Sequence, residues 1–176
     1  GGGPNAINAF YQIKKTNKNI KIIILEKGKA LNNLRSLPEV RWHSTMKELK
    51  LESCLNSQIN ENYIPMTSEL ICYYEQFINE HNLQIKEFHN VINITKYDKK
   101  TGIYKLEVVN NKNQMFLLSK NIILCTGVYE NKKKLENINE YDFCSYNSDL
   151  SHRNKKLVLV GGGGSSIDFI INLLPY

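Results

Sequence analysis

The run "LVLVGGGGSSIDFIINLL" restricts the fold more than any other stretch of the chain. Its apolar start predicts a β-strand, its four glycines a turn, and the apolar spacing after them a helix. That order belongs to α/β proteins. Gly161, Gly163 and Ser166 stand at the three positions of G-x-G-x-x-G/A. The first glycine permits a tight turn, and the second lets the backbone approach a pyrophosphate. The small third residue allows close packing of helix on strand. The helix N-terminus then offers N–H groups and a positive dipole end to an anion. A glycine-rich turn with no ligand is the lesser alternative for such a run.

The chain begins in the same way. In "GGGPNAINAFYQIKKTN", Gly1, Gly3 and Ala6 repeat the spacing, and Ala6, Phe10 and Ile13 follow at helical intervals. "IKIIILEKG" comes next, a continuous apolar run suited to a parallel strand covered on both faces. Turn, helix and strand make a βαβ unit, and its first strand is expected to lie outside this chain. Glu26 ends the second strand, 23 residues beyond Gly3, where a carboxylate can take the ribose hydroxyls of an adenosine. Asp168 follows the second glycine run too closely for that role.

Between the two turns, residues 28–62 are irregular apart from a short helix expected in "TMKELKLESCL". "PMTSELICYYEQFINEHN" predicts a longer helix, with Pro65 and Thr67 at its start and one face of Leu70, Ile71, Tyr73, Tyr74, Phe77 and Ile78. "LQIKEF", "VINITKYD", "TGIYKLEVVN" and "NQMFLLSK" read as strands separated by turn residues, an antiparallel meander leading into a last strand, "NIILC". Residues 130–154 are polar and predict a linker. The fold class is therefore α/β: a Rossmann-type domain with a parallel sheet and an antiparallel β-meander over 1–138, then the beginning of a second Rossmann domain over 139–176.

Composition narrows the function. The formal net charge of +6 suggests nucleic acid, but Lys outnumbers Arg 20 to 3 and Asn is abundant at 23, a compositional bias. No basic stripe with interleaved aromatics is present, so nucleic acid is not an expected partner. Cys54, Cys72, Cys125 and Cys144 form no C-x-x-C pair, and the four histidines share no spacing, so no metal site is expected. The apolar runs are too short to cross a bilayer and no signal peptide is visible, which makes the cytoplasm the default location.

Two glycine turns in this order, with a meander and "ILCTGVYENKKKLENI" between them, resemble the flavoproteins with two dinucleotide-binding domains. Within these the chain is similar to the branch of flavin-containing monooxygenases and bacillithiol-disulfide-reductase-like proteins, relatives of thioredoxin reductase. The resemblance spans the whole chain and implies FAD and NAD(P)H as cofactors. It implies that Gly1, Gly3, Pro4 and Ala6 contact the FAD pyrophosphate and Glu26 the FAD ribose. Val91 would touch adenine through its backbone, Thr126 and Gly127 would lie against FAD, and Trp42 would border the isoalloxazine ring. Trp42 also reads as a half-buried core aromatic. Gly161, Gly163, Gly164, Ser165 and Ser166 would hold the pyrophosphate of NAD(P)H. In "CSYN", Asn147 stands where thioredoxin reductases carry the second redox cysteine, which disfavours a dithiol exchange cycle.

The expected function is an FAD-dependent NAD(P)H oxidoreductase of monooxygenase type acting on a small molecule, with a homodimer admitted and no membrane partner. Two alternatives stand beside it. One is a flavin reductase of a small disulfide or quinone, and the other a non-catalytic dinucleotide-binding redox sensor. No catalytic side chain is identified from the sequence.

Overall fold

A computed structural model of the chain describes residues 1–49, 51, 60–98, 100–111, 113–127 and 156–173. The chain divides into two compact units: Gly1–Leu34 with Tyr73–Lys132, and Arg35–Cys72 with Lys133–Tyr176.

In the first unit, helix α1 (Pro4–Thr16) follows the opening glycines, with Pro4 at its first turn and Lys14 and Lys15 in its last. Pro lacks the N–H that would be orphaned there, and the lysines complement the negative end of the helix dipole. Ala6, Ile7 and Phe10 are its buried face. Strand β1 (Ile24–Leu25) pairs in parallel with β2 (Ile85–Lys86), in register Ile24↔Ile85 and Leu25↔Lys86. Short helix α2 (Asn32–Arg35) follows β1.

Three of the four expected meander strands form it, β3 (His89–Asp98), β4 (Ile103–Asn110) and β5 (Asn113–Ser119) making an antiparallel sheet in sequence order, while "LQIKEF" supplies β2 and pairs in parallel with β1 instead. Leu106 and Val108 are buried and share a face with their cross-strand partners Ile94 and Leu117, and Val91 and Met115. Register shifts interrupt β3 between Val91 and Asn93 and between Lys96 and Asp98. Extra residues of this kind twist a strand and re-aim its side chains.

Helix α3 (Met46–Leu49) belongs to the second unit and is shorter than the expected helix, of which residues 50 and 52–59 lie outside the described residues. Helix α4 (Thr67–Glu80) buries Leu70, Tyr73, Tyr74 and Phe77, a row at i, i+3, i+4 and i+7. Its C-terminus closes with Leu83 N–H donating to Ile78 O at 3.0 Å and Asn82 N–H to Asn79 O at 3.2 Å. Asn82 is left-handed there (φ 48°), the conformation such a closure requires. Helix α5 (Gly164–Leu173) follows the second glycine run.

The N-terminus of α4 is held by Glu69, whose carboxylate accepts Met66 N–H at 2.7 Å and the Tyr63 hydroxyl at 2.8 Å. The Met66 N–H above all, then Tyr63, holds the Glu69 carboxyl below its ordinary value of 4.5. A lowered folded pKa stabilises above the unfolded value, and the contribution is lost as pH falls through the folded one. Glu69 is therefore expected to titrate below 4.5, and Met66 amide protection to fall as it protonates. Carboxyl NMR titration with hydrogen exchange checks both, and Glu69→Gln should remove the pH dependence.

Two expected strands find no partner here: among the described residues, neither "NIILC" nor residues 156–160 of "KKLVLV" carries ladder hydrogen bonds. Ile123 is 59% exposed, Leu124 70% and Val158 90%. A strand exists only through its neighbour, and no described strand lies beside either run. For the same reason β1 spans only the two residues that pair with β2. Among the described residues no helix is long and apolar enough to cross a membrane.

Candidate functional site

The opening glycine turn is tied down on several sides. Gly2 N–H donates to Glu26 Oε2 in a short contact, and Gly2 O accepts Leu31 N–H at 3.0 Å. Gly3 is the N-cap of α1, and its carbonyl accepts both Ala6 N–H at 3.0 Å and Ile7 N–H at 3.1 Å. No side chain caps this helix end; Pro4 carries no N–H and Ala6 N–H is taken by Gly3 O, which leaves Asn5 N–H as the first-turn donor without an intrahelical acceptor. A Cβ added at Gly3 would meet nothing within 4 Å, whereas one at Gly1 would lie 2.1 Å from Cys125 O. The turn thus needs glycine at Gly1 for close backbone approach and leaves open space at Gly3, a cradle of the kind a diphosphate requires.

Glu26 sits directly after β1 and is only 9% exposed. Its Oε1 accepts Gly28 N–H at 2.9 Å while Oε2 takes Gly2 N–H. An ionised carboxylate offers about four lone-pair sites, so acceptor capacity remains on both oxygens. The acid proposed for ribose is thereby also the clamp between the glycine turn and the residues after β1. Glu87 repeats this on the next strand end, accepting Ala30 N–H at 2.8 Å.

Of the other residues singled out in this unit, Pro4 and Ala6 lie in the first turn of α1. Val91 is half-buried on β3 opposite Val108. Thr126 and Gly127 are exposed, and Gly127 has φ 77°, with Asn33 Nδ2 at 2.8 Å from where a Cβ would stand.

The second glycine run, in the other unit, repeats the hydrogen bonding of the first. Gly163 O accepts Ser166 N–H at 2.9 Å and Ile167 N–H at 3.3 Å, as Gly3 O accepts from the equivalent positions of α1. A Cβ at Gly163 would also meet nothing within 4 Å. Gly161 has φ 117°, a conformation that only glycine adopts readily. Ser166 is half-buried, with Oγ 3.7 Å from the Cβ position of Gly161, as expected of a small third residue. Gly164 and Ser165 open α5. A Cβ at Gly164 would stand 2.8 Å from His43 Nε2.

Trp42 is half-buried in this same unit, its backbone N–H on Pro65 O at 2.9 Å. Its indole Nε1 is enclosed and has no hydrogen-bond partner among the described residues. His81 packs against Tyr11 and Phe77, and His89 bonds to Glu87 O and Asn110, so both serve the fold. Cys72 is exposed and Cys125 half-buried, both as free thiols. Cys54, Cys144, Asn147 and His152 lie outside the described residues.

Sequence reasoning missed Gly2, Gly28, Leu31 and Phe88. Leu31 is fully buried and left-handed (φ 62°), and Phe88 is left-handed too (φ 56°). Neither residue type signals that conformation.

Two glycine-turn helices of one design, with an acid at the carboxyl end of a parallel strand pair and an antiparallel meander, mark the chain as a mixed α/β protein. The pyridine nucleotide-disulphide oxidoreductase family matches residues 1–176, and the chain belongs to that family. It is 20% identical over 186 residues to a probable indole-3-pyruvate monooxygenase of Arabidopsis thaliana, covering 98% of this chain and 43% of that protein. Bacillithiol disulfide reductase from Bacillus cereus superposes with a TM-score of 0.60 at 21% identity, over 68% of this chain and 36% of that one. The Staphylococcus aureus enzyme gives 0.52 at 22% identity, over 66% and 33%. The chain spans less than half the length of each of these relatives.

Proposed function

We propose that the full-length protein is an FAD-dependent NAD(P)H oxidoreductase of flavin-monooxygenase type, acting on a small molecule. The observation that carries this reading is the shared scheme of the two glycine turns within a family match over residues 1–176. When bound, FAD supplies the redox chemistry, taking a hydride from NAD(P)H and passing electrons to O2 or another acceptor. The protein's part is binding, orientation and exclusion of water. The backbone of Gly1–Gly3 and the N-terminus of α1 would hold the FAD diphosphate, and Glu26 the ribose beside it. Gly161, Gly163 and the N-terminus of α5 would hold the diphosphate of NAD(P)H. The open space at Gly3 and Gly163 and the acceptor capacity left on Glu26 fit these groups.

The likeness to bacillithiol disulfide reductases favours a second reading, a reductase of a small disulfide or quinone. The four cysteines of this stretch form no C-x-x-C pair, so reduction of such a substrate would proceed here without that motif.

The test is purification of the full-length protein, with flavin absorbance and FAD release measured. A yellow protein that oxidises NADPH or NADH supports the proposal, and dependence on O2 or on an added disulfide separates the two readings. A colourless protein that takes up no added FAD refutes both.

A further inference from the structure

We propose that Phe88 is the platform on which the adenine of FAD stacks, an inference that rests on the FAD reading above. Strands β1 and β2 are parallel and in register, so their carboxyl ends coincide. Ligands of open α/β sheets bind outside those ends. Glu26 follows β1 there, and Phe88 lies two residues beyond β2.

Backbone hydrogen bonds lock the two strand ends together. Glu26 N–H donates to Lys86 O at 3.0 Å, His89 N–H to Glu26 O at 2.7 Å, and Phe88 N–H to Gly28 O at 3.0 Å. Gly28 N–H in turn donates to Glu26 Oε1, and the other carboxylate oxygen takes Gly2 N–H. A continuous hydrogen-bonded path therefore joins Phe88, the acid and the glycine turn. An adenosine diphosphate likewise presents a base, a ribose and a diphosphate in succession.

The fold alone does not call for phenylalanine at this point. Phe88 has φ 56°, where asparagine or glycine is the residue the backbone favours. Its side chain is 48% exposed, so core burial does not offset that cost. An aromatic held strained and half-exposed on the ligand edge of the sheet has the attributes of a stacking surface. Its neighbour His89 is fixed, with Nδ1 2.6 Å from Glu87 O and Nε2 3.1 Å from Asn110 Nδ2.

The test compares Phe88→Asn, Phe88→Gly and Phe88→Tyr in the full-length protein, by calorimetric titration with FAD, ADP and FMN and by thermal melting. Asn and Gly suit the left-handed backbone, so both should fold with a melting temperature at or above wild type. Both should weaken FAD and ADP about tenfold, the order expected for one lost base stack. FMN, which has no adenine, should bind as to wild type, and Tyr should restore FAD and ADP. If the Asn and Gly variants bind ADP as tightly as wild type, Phe88 is not the platform. If the wild type binds neither FAD nor ADP, the FAD reading falls and this inference with it.

Discussion

Gly3→Val is expected to weaken FAD retention at least about 100-fold in the full-length protein, which corresponds to ~2.7 kcal/mol. Stability should hardly change. Gly3 has φ −84° and ψ −179°, an extended conformation that valine adopts without strain, and no atom lies within 4 Å of where its Cβ would stand. The loss of a favourable N-cap costs about 1 kcal/mol or less. The open space is the useful feature: it lies before the first turn of α1, where Asn5 N–H has no intrahelical acceptor. A branched side chain there fills the volume a diphosphate must occupy and shields that N–H group. Gly1 could not be used for this test. Its Cβ would stand 2.1 Å from Cys125 O, so any substitution displaces backbone and confounds binding with folding. The flavin-to-protein absorbance ratio after purification, read beside the melting temperature, decides the matter. A folded Gly3→Val protein that retains FAD would show that the diphosphate lies elsewhere.

The elements legible in the sequence are those whose signal is local. The 3.6-residue spacing of α1 and α4 and the alternation along β3 to β5 are set by which face each segment buries. The glycine turns were legible because tight turns and close approach select one residue type. The runs "NIILC" and "KKLVLV" have no ladder partner among the described residues, because apolar content records a tendency to be buried, while a strand also needs a neighbour that the run itself does not specify. Glu26 could be placed from its position after an apolar run. Its clamp on Gly2 could not, since that bond closes over 24 residues and leaves no pattern in sequence. Leu31 and Phe88 were invisible for another reason. Their left-handed backbone is imposed by tertiary hydrogen bonds to Gly2 O and Gly28 O, on residue types that ordinarily avoid it.

Phe77→Ala is expected to destabilise the protein by about 3–5 kcal/mol, lowering the melting temperature by about 6–20 °C for a chain of this size. Phe77 is 1% exposed and among the largest fully buried side chains of the described residues. Its ring meets Tyr11 of α1 edge-on, at 5.2 Å between centroids and 74° between planes, and lies 4.3 Å from the His81 ring. Alanine removes both contacts and leaves a cavity between two helices, which relaxes only in part. Phe77→Leu keeps most of the volume and should cost about 1.5 kcal/mol or less. The exposed Phe116 offers the contrast. It is 54% exposed with the Lys105 ammonium 3.8 Å from its ring centre, a contact of about 0.5–1 kcal/mol at such a site. The effect of Phe77→Ala also differs in kind from that of Gly3→Val. A ligand that binds only the folded state stabilises it by mass action, so added FAD should raise the melting temperature of Phe77→Ala. Gly3→Val should melt near the wild-type apoprotein and gain nothing from FAD. Equal stabilisation of the two variants by FAD would mean that the loss at Gly3 is one of folding and not of the diphosphate cradle.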